Sequence, residues 1–282
     1  MMTWRAMVLS VVCVGSVVMP IQSMAQTAHP LVKNSMVVPK LDGAALLPKL
    51  YAGKTFAHRI SLKDMEPLPN IGVRGAEGDD EVALIHAARF YRNPQNQERA
   101  WVMVERHEID SSSNELKDCH VCAPEVDIFV FARQDNGWKL VSSTSPKSEI
   151  MGAWGETQLK STAKVMRVSE QSQALLYESG YGNQGEFSTE LNAIVLHEQR
   201  PIQAVEIAQT SYDNSGYYGD SKQAYSFEGK YVLSKQTDKQ GRYVLNIRYS
   251  GSNKNQAGKI RPYRITKRFY WHDGQNKFLP LK

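Results

Sequence analysis

Val126-Asp127-Ile128-Phe129-Val130-Phe131-Ala132-Arg133, then Asp135-Asn136-Gly137, then Trp138-Lys139-Leu140-Val141, is the stretch whose reading decides the fold. The first run is rich in Val, Ile and Phe. Branched and aromatic side chains pack well on a pleated surface, so the run favours extended backbone. Asn-Gly suits the tight turn of a hairpin. Apolar residues resume at once, and the unit reads as strand, turn, returning strand.

Working outward, the same pattern recurs. Ala100 to Glu105 alternates poorly but is rich in Trp, Val and Met. Further strands are expected at Ala163 to Val168, Ala174 to Glu178, Phe187 to Leu196 and Gln203 to Ala208. Ala224 to Ser234 and Arg242 to Tyr249 flank a turn ending in Gly241, and Lys259 to Trp271 and Lys277 to Leu281 complete the chain. The expected fold is mainly β with minor α: antiparallel sheets in a sandwich-like or partly propeller-like body. A closed outer-membrane barrel is disfavoured, because the strands lack regular alternation of adequate length.

An internal echo accompanies these strands. Phe129-Val130-Phe131, Asp135-Asn136-Gly137 and Trp138-Lys139-Leu140 match Phe269-Tyr270-Trp271, Asp273-Gly274 and Lys277-Phe278-Leu279. An earlier strand precedes each, at Trp101 to Val104 and Val244 to Tyr249. Both halves can be strand, long loop, strand, turn, strand units. The β-rich body, 79–282, therefore divides into two candidate units, 79–155 and 156–282. Hairpins also resemble one another because turn chemistry limits them, so duplication stays open.

Residues 26–78 are punctuated by Pro30, Pro39, Pro48, Pro67 and Pro69 and read as an irregular N-terminal arm. Ala44 to Tyr51 can form a short helical turn with Leu46, Leu47 and Leu50 on one side. One N-terminal-side helix is expected over Asp79 to Tyr91, where the acidic start suits the helix dipole and Asn93-Pro94 ends it.

The first 25 residues read as an export signal. Arg5 gives a positive start, Ala6 to Met19 are apolar, Pro20 breaks the run, and Ser23-Met24-Ala25 is a cleavage site. The run is short of the roughly 20 residues that span a bilayer. Cleavage before Gln26, periplasmic localisation and no membrane span after cleavage are expected. Loss of Arg5 lowers the formal net charge from +5 to +4. So weak an excess does not argue for a nucleic-acid partner.

In an oxidising compartment Cys119-His120-Val121-Cys122 reads first as a structural disulfide, Cys119 to Cys122, at the entrance of the Val126 strand. Two other readings stay open. A zinc site needs four ligands, and His107 and His120 could add to the pair, but there is no second Cys pair. Redox chemistry of the thioredoxin type needs the first Cys at a helix N-terminus, whereas Pro124 and a strand follow here. No cofactor or metal is expected. His197-Glu198 begins like a zinc-protease motif, but Arg200 and Pro201 break it. No Gly-x-Ser-x-Gly is present. Ser161-Thr162-Ala163-Lys164 matches the four-residue motif of penicillin-recognising enzymes, but the companion Lys-Thr-Gly is missing downstream.

Two segments are candidate binding elements. Tyr212 to Ser221 carries Tyr212, Asp213, Tyr217, Tyr218 and Asp220 among glycines, and reads as a partner-binding loop, because Tyr offers contact area at low entropic cost. Arg261, Arg264, Lys267 and Arg268, with Trp271, form a candidate basic and aromatic patch for an acidic partner or a sugar polymer, or else one solvated face of a strand.

Cys119 to Cys122, Gly137-Trp138-Lys139-Leu140, Gly152-Ala153-Trp154-Gly155 and Glu178 to Glu186 together resemble uncharacterised exported β-rich proteins of Gram-negative bacteria. Some of these are immunity or inhibitor proteins. The resemblance covers about 80–282 and implies a non-enzymatic binder of another protein, such as a secreted envelope-targeting toxin. Two alternatives remain: a periplasmic hydrolase of envelope polymer, with Glu186, His197 or Asp213 as candidates, and a metal or redox accessory protein using the Cys pair.

Overall fold

The computed structural model describes residues 36–51, 55–58, 70–74, 80–110, 112–113, 115–117, 122–144, 152–153, 156–198 and 200–281. Within them lie two nine-stranded sheets in which every strand pairing is antiparallel. The first holds β1 (Val37–Val38), β2 (Thr55–His58), β3 (Asn70–Arg74), β4 (Asp80–Ile85), β5 (Arg89–Arg92), β6 (Glu98–Asp110), β7 (Glu115–Leu116), β8 (Glu125–Gln134) and β9 (Gly137–Ser143). Its order is β1-β9-β8-β6-β4-β3-β2, with β5 and β7 also on β6. Helix α1 (Gly43–Leu50) lies between β1 and β2 in the chain. A small hairpin, β10 (Gly152–Ala153) and β11 (Glu156–Thr157), separates the sheets along the sequence.

The second sheet holds β12 (Val165–Arg167), β13 (Gln173–Asn183), β14 (Glu186–Val195), β15 (Ala204–Asp213), β16 (Ser226–Thr237), β17 (Tyr243–Lys254), β18 (Ile260–Pro262), β19 (Ile265–His272) and β20 (Lys277–Pro280). They follow one another in chain order, with β18 set beside β17. A single turn, α2 (Ser215–Tyr218), connects β15 to β16. This sheet curls into a half-barrel.

Side-chain alternation along the strands builds three apolar layers. On β6, Ala100, Val102 and Val104 face one core with Leu46, Leu47, Leu50, Phe129 and Phe131. Trp101 and Met103 face the opposite way, toward Val126, Ile128 and Val130, and meet Leu175, Tyr177 and Ile194 of the second sheet and Ile202 of the β14–β15 connection. The third core is the inside of the curl: Leu191, Ala193 and Val195 pack with Phe227, Leu245, Ile247, Tyr249, Trp271 and Phe278. The central strands of the first sheet are therefore covered on both faces, and the poor alternation of Ala100 to Glu105 follows from that.

Polar ties join the sheets. Arg99, buried at 7% exposure, makes a two-pronged pair with Glu198, 2.8 Å for each nitrogen. Asn93 Nδ2 donates to the same carboxylate at 2.9 Å. Ser142 Oγ donates to the Arg200 carbonyl, and an isolated parallel bridge joins Thr144 and Ile202.

Two expectations are corrected. The helix over Asp79 to Tyr91 is absent: Asp80–Ile85 and Arg89–Arg92 are strands that pair with β6, and Asp79 lies outside the described residues. Long-range pairing with a thirteen-residue strand overrides the local helical spacing. Glu81 does not start a helix. It pairs with Arg106 at 2.5 Å, and Arg106 also contacts Glu125 and Asp127, all beneath Tyr51, which donates to Asp127 at 2.5 Å. Nor is the described part of 26–78 irregular, since it supplies β1, α1, β2 and β3. The N-terminal-side helix of this fold is α1, whose Leu46, Leu47 and Leu50 are buried as their spacing predicts.

Candidate binding surface

The two segments singled out from sequence meet at one end of the curled sheet. The turn Gln184-Gly185 joins β13 to β14, with both residues at positive φ (49° and 83°). That geometry suits the twist of a two-residue hairpin. α2 settles on this turn: a Cβ on Gly216 would lie 2.7 Å from the Gly185 carbonyl oxygen, and one on Gly185 would lie 2.4 Å from the Gly216 carbonyl carbon. Glycine at both positions allows the approach. Asn214, 1% exposed, locks the connection by accepting from the Tyr225 amide at 2.8 Å. Asp213 caps the helical turn through the Ser215 amide at 2.8 Å, and that backbone bond and the Ser215 hydroxyl hold its carboxyl below the usual range.

The expected long loop is thus a strand end and a helical turn. It displays Tyr217 at 60% exposure; on the neighbouring hairpin Phe187 is 60% exposed on the face of its partner Gly182, and Tyr181 is 54% exposed on the opposite face. Phe187 lies over Gly182, and the Tyr217 ring meets that of Tyr218 edge-on at 4.8 Å; the hairpin tip and α2 that carry them lie against each other. Behind them runs a chain of ring contacts. Tyr212 stacks on Tyr225 at 5.0 Å and on Phe227 at 6.3 Å, and Phe227 meets Tyr249 and Tyr263 edge-on. Burial, then Tyr225 and Glu186, raise the Tyr212 phenol above its usual range. Tyr249 is pushed up to about 12 by burial and by Tyr263, and its hydroxyl donates to the Gln209 carbonyl at 2.8 Å.

Basic residues border these rings. Lys254 Nζ lies 5.1 Å from the Tyr225 ring centre, and Lys267 Nζ 5.2 Å from that of Tyr249, both within cation–π range. Arg261 on β18 and Arg264 just before β19 flank Tyr263 in the chain and are exposed, as are Lys267 and Arg268. Asp220 is exposed beyond α2. Trp271 is corrected out of the patch: at 4% exposure it belongs to the interior of the curl, with Nε1 donating to Asp273 at 2.9 Å. On β19 it shares a face with Phe269, while Arg268 lies on the other. Tyr181 is not legible as a surface residue in the sequence, where the expected strand stops at Glu178, whereas β13 runs on to Asn183.

The candidates Glu186, His197 and Asp213 do not converge. Glu186 and Asp213 are neighbours across β14 and β15, since Phe187 pairs with Asp213. His197 lies beyond the other end of β14, about 30 Å away at the usual rise of a strand. It lines a cleft of about 290 Å³ at the sheet junction with Tyr91, Asn93, Glu198, Arg200 and Asp273. Burial, then Arg200, lower its pKa to about 4, so the imidazole is neutral at pH 7. Asp273 is occupied by Ser169, Ser172 and Trp271, and Glu198 by Arg99 and Asn93.

Cys122 lies three residues before β8; Cys119 lies outside the described residues, as does His120. His107 hydrogen-bonds Glu105 at 3.3 Å, and His86 reaches the other oxygen of that carboxylate at 3.1 Å. Among the described residues, no group of three or more His, Cys, Asp or Glu is arranged to hold a metal ion. No helix among them is long and apolar enough to cross a membrane. The export signal expected at 1–25 lies outside the described residues.

Compared with known proteins, the chain matches no family profile, and no curated protein matches it. Among solved structures it aligns with MPT-4, a mannose phosphorylase from Leishmania mexicana in complex with phosphate ion. The identity is 7% and the TM-score 0.23, over 81% of this chain and 67% of that one.

Proposed function

We propose that this chain is an exported periplasmic binding protein without catalytic activity, of the immunity or inhibitor kind, that engages another protein through the aromatic end of its second sheet. One observation carries the reading: Tyr181, Phe187 and Tyr217 stand more than half exposed on a scaffold fixed by Gly185, Gly216 and buried Asn214. Large aromatic side chains kept outside on rigid elements serve as anchors at protein interfaces. Cations at their border would orient a partner during approach. A Cys119 to Cys122 bridge would suit the oxidising compartment.

The test is capture of a protein from periplasmic extract by the immobilised chain, followed by identification and measurement of Kd with the purified partner. Tyr217→Ala with Phe187→Ser should weaken that Kd at least tenfold while leaving the unfolding midpoint unchanged. Capture of nothing by the folded wild-type chain, or a Kd indifferent to both substitutions, would sink the proposal.

A further inference from the structure

The back of the same sheet carries a second feature. On β17, Leu245, Ile247 and Tyr249 point into the curl, so Asn246 and Arg248 point out. Lys230 of β16 lies directly opposite Arg248, and Arg248 lies opposite Thr266 of β19, one pleat from Arg268. Direct cross-strand neighbours have Cβ atoms about 5 Å apart and diagonal ones about 7–8 Å. Three cations therefore share one exposed face across three adjacent strands. Val232, 66% exposed, lies among them, opposite Asn246.

These cations are almost unneutralised. Lys230 has only Glu228, at 3.9 Å with both side chains largely in solvent. Among the described residues, the Arg248 and Arg268 side chains have no carboxylate, hydrogen-bond or ring partner. The same holds for Arg261 and Arg264 at the rim. Like charges placed opposite one another across strands destabilise a sheet, so the arrangement does not serve the fold.

We infer that the outward face of β16, β17 and β19 is a docking surface for the acidic face of a folded protein; this rests on the binding-protein reading above and names the charge of the partner. Charge complementarity selects an anion. Arginine rather than lysine dominates, and its planar fork meets carboxylates in pairs. The cations spread over a sheet face rather than along a groove, and an exposed valine lies between them. A broad charged face with an apolar centre fits a protein surface better than a single polymer strand.

The experiment uses the purified full chain and three probes: poly-L-glutamate, a sulfated polysaccharide, and phosphatidylglycerol vesicles. Poly-L-glutamate should bind in low salt and be released as salt rises. Arg248→Ser with Arg268→Ser should weaken it at least tenfold, whereas Lys235→Ser with Lys239→Ser, an equal loss of charge at the far end of β16 and in the turn after it, should change it less than twofold. Neither pair should lower the unfolding midpoint. Equal weakening by both pairs would overturn the inference, as would tighter binding of vesicles or polysaccharide than of poly-L-glutamate. If a captured partner loses affinity with Tyr217→Ala and Phe187→Ser but not with Arg248→Ser and Arg268→Ser, the binding function stands and this surface assignment falls.

Discussion

The four-strand run β6-β7-β8-β9 and the run β17-β18-β19-β20 share one connectivity. Each begins with a long strand. A short strand folds back on its end, a third strand pairs with its middle, and a tight turn leads to the fourth. Their burial differs. In the first run Ala100, Trp101, Val102, Met103 and Val104 are all at most 1% exposed. In the second, Leu245, Ile247 and Tyr249 are buried while Arg248 and Ser250 are in solvent. α1 covers one face of the first run and the second sheet covers the other. The outside of the second run is covered in part, at Val244 and at Tyr270 beneath Arg242, and lies open at Arg248 and Ser250. One chain path thus serves as a central slab in one place and as a wall with a free surface in the other.

The strongest challenge to this comparison comes from matched truncations. Phe131→Ala, in the slab, should cost about 3–5 kcal/mol in urea unfolding, and Phe278→Ala, on the edge strand β20, clearly less. Equal costs would mean the two runs are equally supported. Arg106→Met should also cost about 3–5 kcal/mol, because Glu81 and Asp127 lose their counter-charge under α1. Adding Asp127→Asn should recover part of it. Failure of the second change to help would show that packing, not charge, sets the loss.

Acid titration probes the slab more gently. Burial alone would raise Glu105, but hydrogen bonds from His107 and His86, with their charge, bring it down from 4.5 to about 2. A carboxylate with a depressed folded pKa stabilises the fold above its unfolded pKa, and that contribution disappears as pH falls through the folded one. Glu105→Gln should therefore flatten stability against pH between about 4.5 and 2, measured by urea midpoints at each pH. An unchanged slope would show that other groups govern acid unfolding. The smallest effect belongs to the free wall. Tyr217→Ala should shift stability by no more than about 0.5 kcal/mol, and a larger loss would make Tyr217 part of the packing rather than an exposed anchor.

Legibility followed the local signals. The hairpin of β8 and β9 and that of β19 and β20 stand where their turns predict them, because turn chemistry is written in a few adjacent residues. Val82, Ile85 and Arg89 carried helical spacing yet form strands, because β6 offers them a partner on the far side of the sheet that spacing cannot reveal. Trp271 looked like part of a basic and aromatic surface, and strand alternation turns it inward while Arg268 turns out. Tyr212, Asp213, Tyr217 and Tyr218 were visible as a cluster. Phe187 and Tyr181 joined them only when the β13–β14 turn came to lie on α2.

By itself, the sequence determined that this protein is mainly antiparallel β, where its hairpins turn, and which leucines of α1 are buried. Those properties depend on neighbours within a few residues. Tertiary structure alone decided which strands are covered on both faces, that Glu81 answers to Arg106, that Glu186 and His197 lie at opposite ends of β14, and that the tyrosines and cations share one end of a curled sheet. A strand has two faces, and nothing in its own residues says what will come to rest on the second.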